Sequence, residues 1–128
     1  MLEMSIAMQN YLELIYETNL KKQKIRVSLL AEQLNVSKPS VNNALNVLKE
    51  NGYLNYERYG DITLTPLGEK IAKQICNKHH VLARMFEEVF GLDSEIANED
   101  ACRIEHVISQ QAIEAIENYL EGNEKKNH

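Results

Sequence analysis

The stretch that decides the fold is residues 27–52, VSLLAEQLNVSKPSVNNALNVLKENG. Residues 27–34 carry apolar side chains at helical spacing, and Ser28 is a candidate N-cap. After a turn at Asn35, Ser37 is a second N-cap and Pro39 falls in the first turn, where proline is best tolerated. The pair Asn51-Gly52 ends this second helix. Two short helices joined by a tight turn predict a helix-turn-helix.

The segments on either side extend this motif. Residues 4–19 have the apolar spacing of a preceding helix. Residues 53–57 and 62–65 alternate apolar and polar side chains, which predicts two strands joined at a hairpin tip over 58–61. The order helix, helix, helix, hairpin indicates a winged helix-turn-helix over residues 4–65, with the helix from Ser37 to Lys49 in the DNA major groove.

Polar residues on this second helix and at the hairpin tip are candidate DNA contacts. Serine and lysine hold phosphates, and an asparagine can make a bidentate contact to adenine. Each residue taken singly is equally consistent with solvated helix surface, but the set on a helix-turn-helix favours DNA binding. The predicted contacts are Ser37, Lys38, Pro39, Ser40, Asn42, Asn43, Arg58 and Tyr59.

The second half of the chain is predicted to be helical. Pro66 starts a helix that runs through about Phe90, and Gly91 ends it. Asp93-Ser94 caps a short helical piece, and a final helix from about Glu99 extends, with or without a break, to Leu120. The expected fold is therefore mainly α with a small β-hairpin wing. We expect a DNA-binding domain over residues 1–66 and a helical domain over 67–128.

Composition and charge restrict the function. The 128 residues carry a net charge of −5, but residues 1–78 have a balance of +2 and residues 79–128 a balance of −7. This asymmetry is compatible with DNA binding at one end only. No apolar run reaches the roughly 20 residues of a membrane span. The acidic, amphipathic N-terminus is unlike a signal peptide. Two cysteines are too few for a disulfide framework, so we expect a cytoplasmic protein.

A metal-site candidate lies in residues 100–109, DACRIEHVIS. On a helix, Cys102 would be i,i+3 from Glu105 and i,i+4 from His106, so that one face would present all three side chains. Together, a soft thiolate, a hard carboxylate and a borderline imidazole suit a divalent transition metal. Taken alone, such a short string is more often ordinary helix surface with a packed cysteine. The helix-turn-helix upstream shifts the interpretation towards metal sensing.

The chain resembles the diphtheria-toxin-repressor family of metal-dependent transcriptional regulators. The resemblance implies a winged helix-turn-helix followed by a helical domain that binds metal and forms a homodimer. Some members add a third, SH3-like domain, which we do not expect in a chain of this length. In its length the chain resembles the shorter, manganese-regulator branch. The residues that carry the resemblance are Tyr11–Glu17, Val27–Ala44, Leu64–Gly68, Lys78-His79, Gly91–Asp93 and Asp100–Ser109.

By this resemblance, the primary metal site would combine Asn10 with Cys102, Glu105 and His106. The first of these positions is typically Met in the iron regulators and Asp in the manganese regulators, whereas here it is an asparagine, a neutral oxygen donor. The position of Cys102 is cysteine in the iron regulators and a carboxylate in the manganese branch.

A second metal site is also implied. The ancillary site of the iron regulators would use His79, but its other helical-domain positions fall at Ala83 and Asn98 and do not fit. The manganese branch instead implies Glu13, His79 and Glu105, all present. Two neighbouring residues stay open: Cys76 is more simply a buried small residue than a ligand, and His80 is either surface or an accessory ligand.

The resemblance implies a repressor of metal-uptake genes that binds a double-stranded DNA operator when loaded with Fe(II) or Mn(II). Co(II), Ni(II) or Zn(II) would substitute in vitro, because the Irving–Williams order favours them. An alternative is a metal-independent winged-helix regulator whose acidic half only dimerises, or serves as a partner-binding module. An enzyme using Cys102 as nucleophile and His106 as base is disfavoured, because the sequence has no glycine-rich oxyanion loop.

Overall fold

The computed structural model describes the backbone of residues 4–57 and 60–126, with side chains up to residue 122. The chain forms two compact units, of which the first extends to Gln74 and the second begins at Ile75. Among the described residues, no helix has the length and apolar character needed to cross a membrane. The elements are α1 (Ile6–Leu20), α2 (Val27–Leu34), α3 (Lys38–Glu50), β1 (Leu54–Tyr56), β2 (Ile62–Leu64), α4 (Pro66–Arg84), a π-helical turn (Met85–Val89), α5 (Ser94–Ile104) and α6 (Gln110–Lys126).

The helix-turn-helix has the predicted capping chemistry at α3. The Ser37 hydroxyl accepts a hydrogen bond from the Ser40 N–H at 3.2 Å, and Gly52 after the helix has φ +83°. The bounds of α2 are those predicted, but its N-cap is not Ser28. The helix begins at Val27 with Arg26 as its N-cap and no side-chain cap bond, so Ser28 lies inside the first turn. Asn35 adopts the left-handed conformation (φ 55°) that ends α2 and starts the turn.

The first unit encloses one hydrophobic core. Helices α1, α2 and α3 pack on one another, and the inward side of the hairpin packs on α3. Each fully buried Leu or Ile contributes roughly 1.5–3 kcal/mol relative to an exposed one. The largest fully buried side chains of this core are Leu12, Ile15, Leu30, Val41, Leu45 and Leu48.

The wing is a two-stranded antiparallel hairpin in which Leu54 pairs with Leu64 and Tyr56 pairs with Ile62. Leu54 and Tyr56 are buried, whereas Asn55 between them is exposed, as the alternating pattern predicts. The tip residues Arg58 and Tyr59 lie outside the described residues.

The base of the wing is fixed against the first turn of α4. The Thr65 hydroxyl donates to the carbonyl of Gly52 at 2.6 Å and accepts from the N–H of Gly68 at 3.1 Å. A Cβ added to Gly68 would lie 2.0 Å from the Tyr53 carbonyl oxygen. Only glycine therefore permits this close approach of helix and strand.

The second unit has its own core, formed around Val81, Leu82, Ala101, Ile113 and Leu120. The Asp93 carboxylate accepts from the N–H of Glu95 at 2.8 Å and caps α5. The separate short piece and later helix of the sequence prediction form one helix, which ends at Ile104. A turn over residues 105–109 then separates α5 from α6, so the segment 100–109 is only partly helical.

Candidate functional site

The centre of the candidate metal site is the Glu105 carboxylate, which is 1% exposed at the C-cap of α5. One oxygen, Oε2, lies 2.8 Å from Nδ1 of His79 on α4. The other, Oε1, lies 3.2 Å from Nε2 of His106. Removing a carboxylate from water is costly unless a positive or hydrogen-bonding partner compensates it. A buried carboxylate between two imidazoles is therefore a place that attracts positive charge.

His79 is oriented from both sides of its ring. Its Nε2 lies 3.1 Å from Oδ1 of Asn98, while its Nδ1 faces Glu105. The Asn98 amide is itself fixed, because its Nδ2 donates to the backbone oxygen of Ser94 at 2.8 Å. Asn98 does not fit the donor expected by resemblance at its position, but the structure places it as an orienting partner of His79.

His106 has the protonation behaviour that metal ligation requires. Burial, and secondarily the positive charge of Lys78, lowers the pKa of His106 below its usual value of 6.5. The imidazole is therefore neutral at physiological pH, which is the form that ligates a metal. The Lys78 ammonium also donates to the carbonyl of Ile108 at 3.0 Å, which ties the turn after α5 to α4.

These residues fit a divalent transition metal. Within the second unit, Glu105 offers a carboxylate oxygen, and His79 and His106 offer imidazole nitrogens. Oxygen and nitrogen donors of this kind suit Mn(II), Fe(II) and the later divalent ions.

The other proposed ligands occupy different positions. Cys102 is in the last turn of α5 and is exposed, whereas Glu105 is buried, so the two differ in their access to water. Asn10 and Glu13 are half-buried on α1 in the first unit. Of the two open residues, Cys76 is half-buried and His80 is exposed.

The predicted DNA contacts on α3 are all exposed. The Ser37 hydroxyl is engaged within the helix start, since it donates to the Ser40 hydroxyl at 2.9 Å and accepts from the Ser40 N–H. The hydroxyl proton of Ser40 is consequently better placed than that of Ser37 to donate to a phosphate.

A groove of about 860 Å³ in the first unit adds residues that sequence reasoning missed. It is lined by Lys38 and Lys49 of α3, by Lys24 and Arg26 of the loop before α2, and by no acidic residue among the described ones. Four cations without a carboxylate match the phosphate backbone of DNA. Lys38, Asn42, Asn46 and Lys49 recur at helical spacing on one stripe of α3. That spacing is a signal by which Asn46 and Lys49 could have been found.

The fold and this surface define a winged helix-turn-helix DNA-binding protein, and comparison with known proteins gives its family. Residues 3–62 match the N-terminal DNA-binding domain of the iron-dependent repressors. Residues 65–128 match the iron-dependent repressor metal binding and dimerisation domain. The chain belongs to the iron-dependent repressor family, as its resemblance to the diphtheria-toxin-repressor proteins predicted. It is a metal-dependent transcriptional regulator and not an enzyme.

Individual relatives agree with this assignment. The chain is 38% identical over 122 residues to an uncharacterized HTH-type transcriptional regulator of Methanocaldococcus jannaschii, covering 92% of this chain and 95% of the relative. It is also 38% identical over 110 residues to the HTH-type transcriptional regulator MntR of Lysinibacillus sphaericus, covering 86% and 78%. The crystal structure of ScaR with bound Zn²⁺ superposes with a TM-score of 0.78 at 26% identity. That match covers 89% of this chain but only 53% of the ScaR chain.

Proposed function

We propose that the chain is a cytoplasmic repressor that binds its DNA operator when loaded with Fe(II) or Mn(II), and that it controls metal-uptake genes. The observation that carries the proposal is the buried Glu105 carboxylate between His79 and His106, in a chain that also presents a cationic groove on a winged helix-turn-helix. Bound metal would supply the positive charge that this carboxylate attracts.

The proposed ligands come from two parts of the chain. His79, Cys102, Glu105 and His106 belong to the helical half, and the resemblance adds Asn10 and Glu13 from the DNA-binding half. Ligands drawn from both halves link metal occupancy to one relative orientation of the halves, as a population shift. In a homodimer, that orientation would set the spacing of two recognition helices in successive major grooves.

The choice of metal follows from the donors. The imidazoles and the carboxylate accept either Mn(II) or Fe(II), while a Cys102 thiolate favours the softer Fe(II). Co(II), Ni(II) and Zn(II) should bind the isolated protein as well or better. A metal that binds the isolated protein, as Zn²⁺ does in the related ScaR structure, therefore does not identify the ion that this chain would bind in the cell.

The homodimer is proposed to form through the second unit. This unit leaves large apolar side chains exposed, including Phe90 at 64% and Val107 at 73%. Phe90 also lines an apolar groove of about 420 Å³ between the π-helical turn and α6. An exposed apolar groove of this kind is typical of a protein interface. Phe90→Asp should shift the sedimentation coefficient from dimer to monomer, whereas Leu20→Asp, at a 63% exposed residue of the first unit, should not.

The ligand proposal is tested by Glu105→Gln, which keeps the shape of the side chain and removes its charge. Glu99→Gln, at an exposed position on the same helix, is the matched control. Isothermal titration with Mn(II) should show at least a tenfold loss of affinity for the first variant and none for the second. Metal-stimulated DNA binding should fall in parallel. Unchanged metal affinity in Glu105→Gln would refute the site, and chelator-insensitive DNA binding by the wild type would instead select a metal-independent regulator.

A further inference from the structure

A side-chain hydrogen bond links the wing to the recognition helix. The hydroxyl of Tyr56, the last residue of β1, donates to Oδ1 of Asn42 on α3 at 2.6 Å. Tyr56 is 8% exposed and is fixed by its pairing with Ile62 across the hairpin, whereas Asn42 is exposed. A buried phenol therefore binds the end of an exposed side chain.

This contact decides which half of the Asn42 amide is presented. The carbonyl oxygen is the acceptor of the amide and the NH₂ group is its donor. Because Oδ1 is bound to Tyr56, the amide is held with its acceptor towards the wing and its NH₂ group as the outward donor. Bidentate recognition of adenine needs both atoms of the amide at once, the oxygen on N6 and the nitrogen on N7. The contact with Tyr56 therefore disfavours that mode for Asn42, although the sequence allowed it.

The residues around Asn42 indicate which part of DNA its NH₂ group would contact. Asn42 lines the same groove as Lys24, Arg26, Lys38 and Lys49, all of which can only donate hydrogen bonds. A phosphate offers only acceptor oxygens. With the acceptor of Asn42 directed to Tyr56, Asn42 adds a donor beside the four cations of the groove, and these five donors are complementary to the DNA backbone.

We propose that Tyr56 is a positioning residue that directs the acceptor of Asn42 into the wing, so that Asn42 donates to a DNA phosphate and does not read a base. The proposal rests on the DNA binding of the proposed function and adds a role for two residues of the first unit. It assigns the reading of bases to other exposed residues of α3, among them Asn43.

The test is a double-mutant cycle of Tyr56→Phe and Asn42→Ala. The Mn(II)-loaded wild type first enriches duplexes from a randomised double-stranded DNA library, and the enriched duplex serves as the probe. Loss of one hydrogen bond should weaken binding about fivefold in each single variant. The double variant should bind no more weakly than Asn42→Ala alone, because Tyr56 acts through Asn42. Tyr53→Phe, which removes a phenol three residues earlier, is the matched control and should bind like the wild type.

Two further readouts separate positioning from a general structural role. The base preferences enriched from the library should be the same for Asn42→Ala and the wild type, because the wild-type Asn42 contacts a phosphate. The slope of affinity against salt should be unchanged in both single variants, since no cation is removed. Thermal unfolding of each variant establishes that all are folded at the assay temperature.

Each contrary result has a defined meaning. If Tyr56→Phe lowered the affinity for DNA equally in the wild type and in the Asn42→Ala variant, the positioning role would be overturned. An altered base preference in Asn42→Ala would overturn the phosphate assignment. Wild-type affinity in Tyr56→Phe would overturn the proposal alone, whereas failure of the wild type to enrich any duplex would overturn it together with the proposed DNA binding.

Discussion

Gly68→Ala should destabilise the DNA-binding unit strongly, although glycine is usually unfavourable in a helix. The new Cβ would lie 2.0 Å from the carbonyl oxygen of Tyr53 and 2.9 Å from its carbonyl carbon, both backbone atoms. Relieving this overlap requires a backbone shift, which costs about 1–3 kcal/mol. The same carbonyl accepts from the N–H of Thr65 at 3.1 Å, and a strained or lost bond there adds about 1 kcal/mol.

The gain in helix propensity from Gly to Ala offsets about 1 kcal/mol, which leaves a net loss of roughly 1–3 kcal/mol. For a unit of this size, the loss corresponds to a fall in Tm of roughly 5–20 °C. Thermal unfolding followed by circular dichroism measures it. Gly122→Ala is the matched control, because Gly122 lies inside α6 and an added Cβ has nothing within 4 Å. It should be stabilising by up to about 1 kcal/mol. A Gly68→Ala protein as stable as the wild type would refute the close-approach argument.

Three other perturbations have defined outcomes. Thr65→Val removes the hydroxyl that caps α4 and should cost about 1–2 kcal/mol in the free energy of unfolding by urea, against little change for Thr63→Val on exposed wing surface. Burial raises the pKa of Tyr11 above 10.0, so its contribution to stability is complete below that pH and is lost as the pH rises through the folded-state value. The wild type should consequently lose more stability than Tyr11→Phe in alkaline urea titrations, and parallel curves would contradict this. Lys24→Ala should weaken DNA binding for all sequences and lower the salt slope by about 1, whereas Lys21→Ala should leave both unchanged.

The helix-turn-helix could be predicted because its signals are local. Ser37, Pro39 and Gly52 act through capping and backbone conformation within one turn, so α3 begins and ends within one residue of its expected bounds. The prediction of Ser28 as the N-cap of α2 was wrong, because the helix already begins at Val27, which packs against the core, and has no side-chain cap. Here tertiary contacts override a local preference.

The sequence identified candidate residues for the metal site but did not predict how they are arranged. Glu105 and His106 were found from their spacing, but the helix ends before them, and Glu105 is buried while Cys102 is exposed. The contacts of His79 with Glu105 and Asn98 depend on the packing of α4 against α5, which no short motif encodes. Metal binding by His79, Glu105 and His106 stays a prediction, as it does for Asn10, Glu13 and Cys102.

The DNA-binding surface was likewise predictable from the sequence only in part. The exposure of the predicted residues on α3 follows from its buried stripe, which leaves the opposite side to solvent. The presence of Lys24 and Arg26 in the groove could not be predicted, because the placement of the loop before α2 is set by tertiary packing.

The central claim is that metal controls DNA binding. The most direct measurement is the affinity of the wild-type chain for its enriched duplex, taken anaerobically with Fe(II), with Mn(II) and with a chelator, at matched free-ion concentrations. We expect tight binding with at least one of the two metals and a loss of affinity of at least tenfold with the chelator. Equal affinity in all three conditions would contradict it.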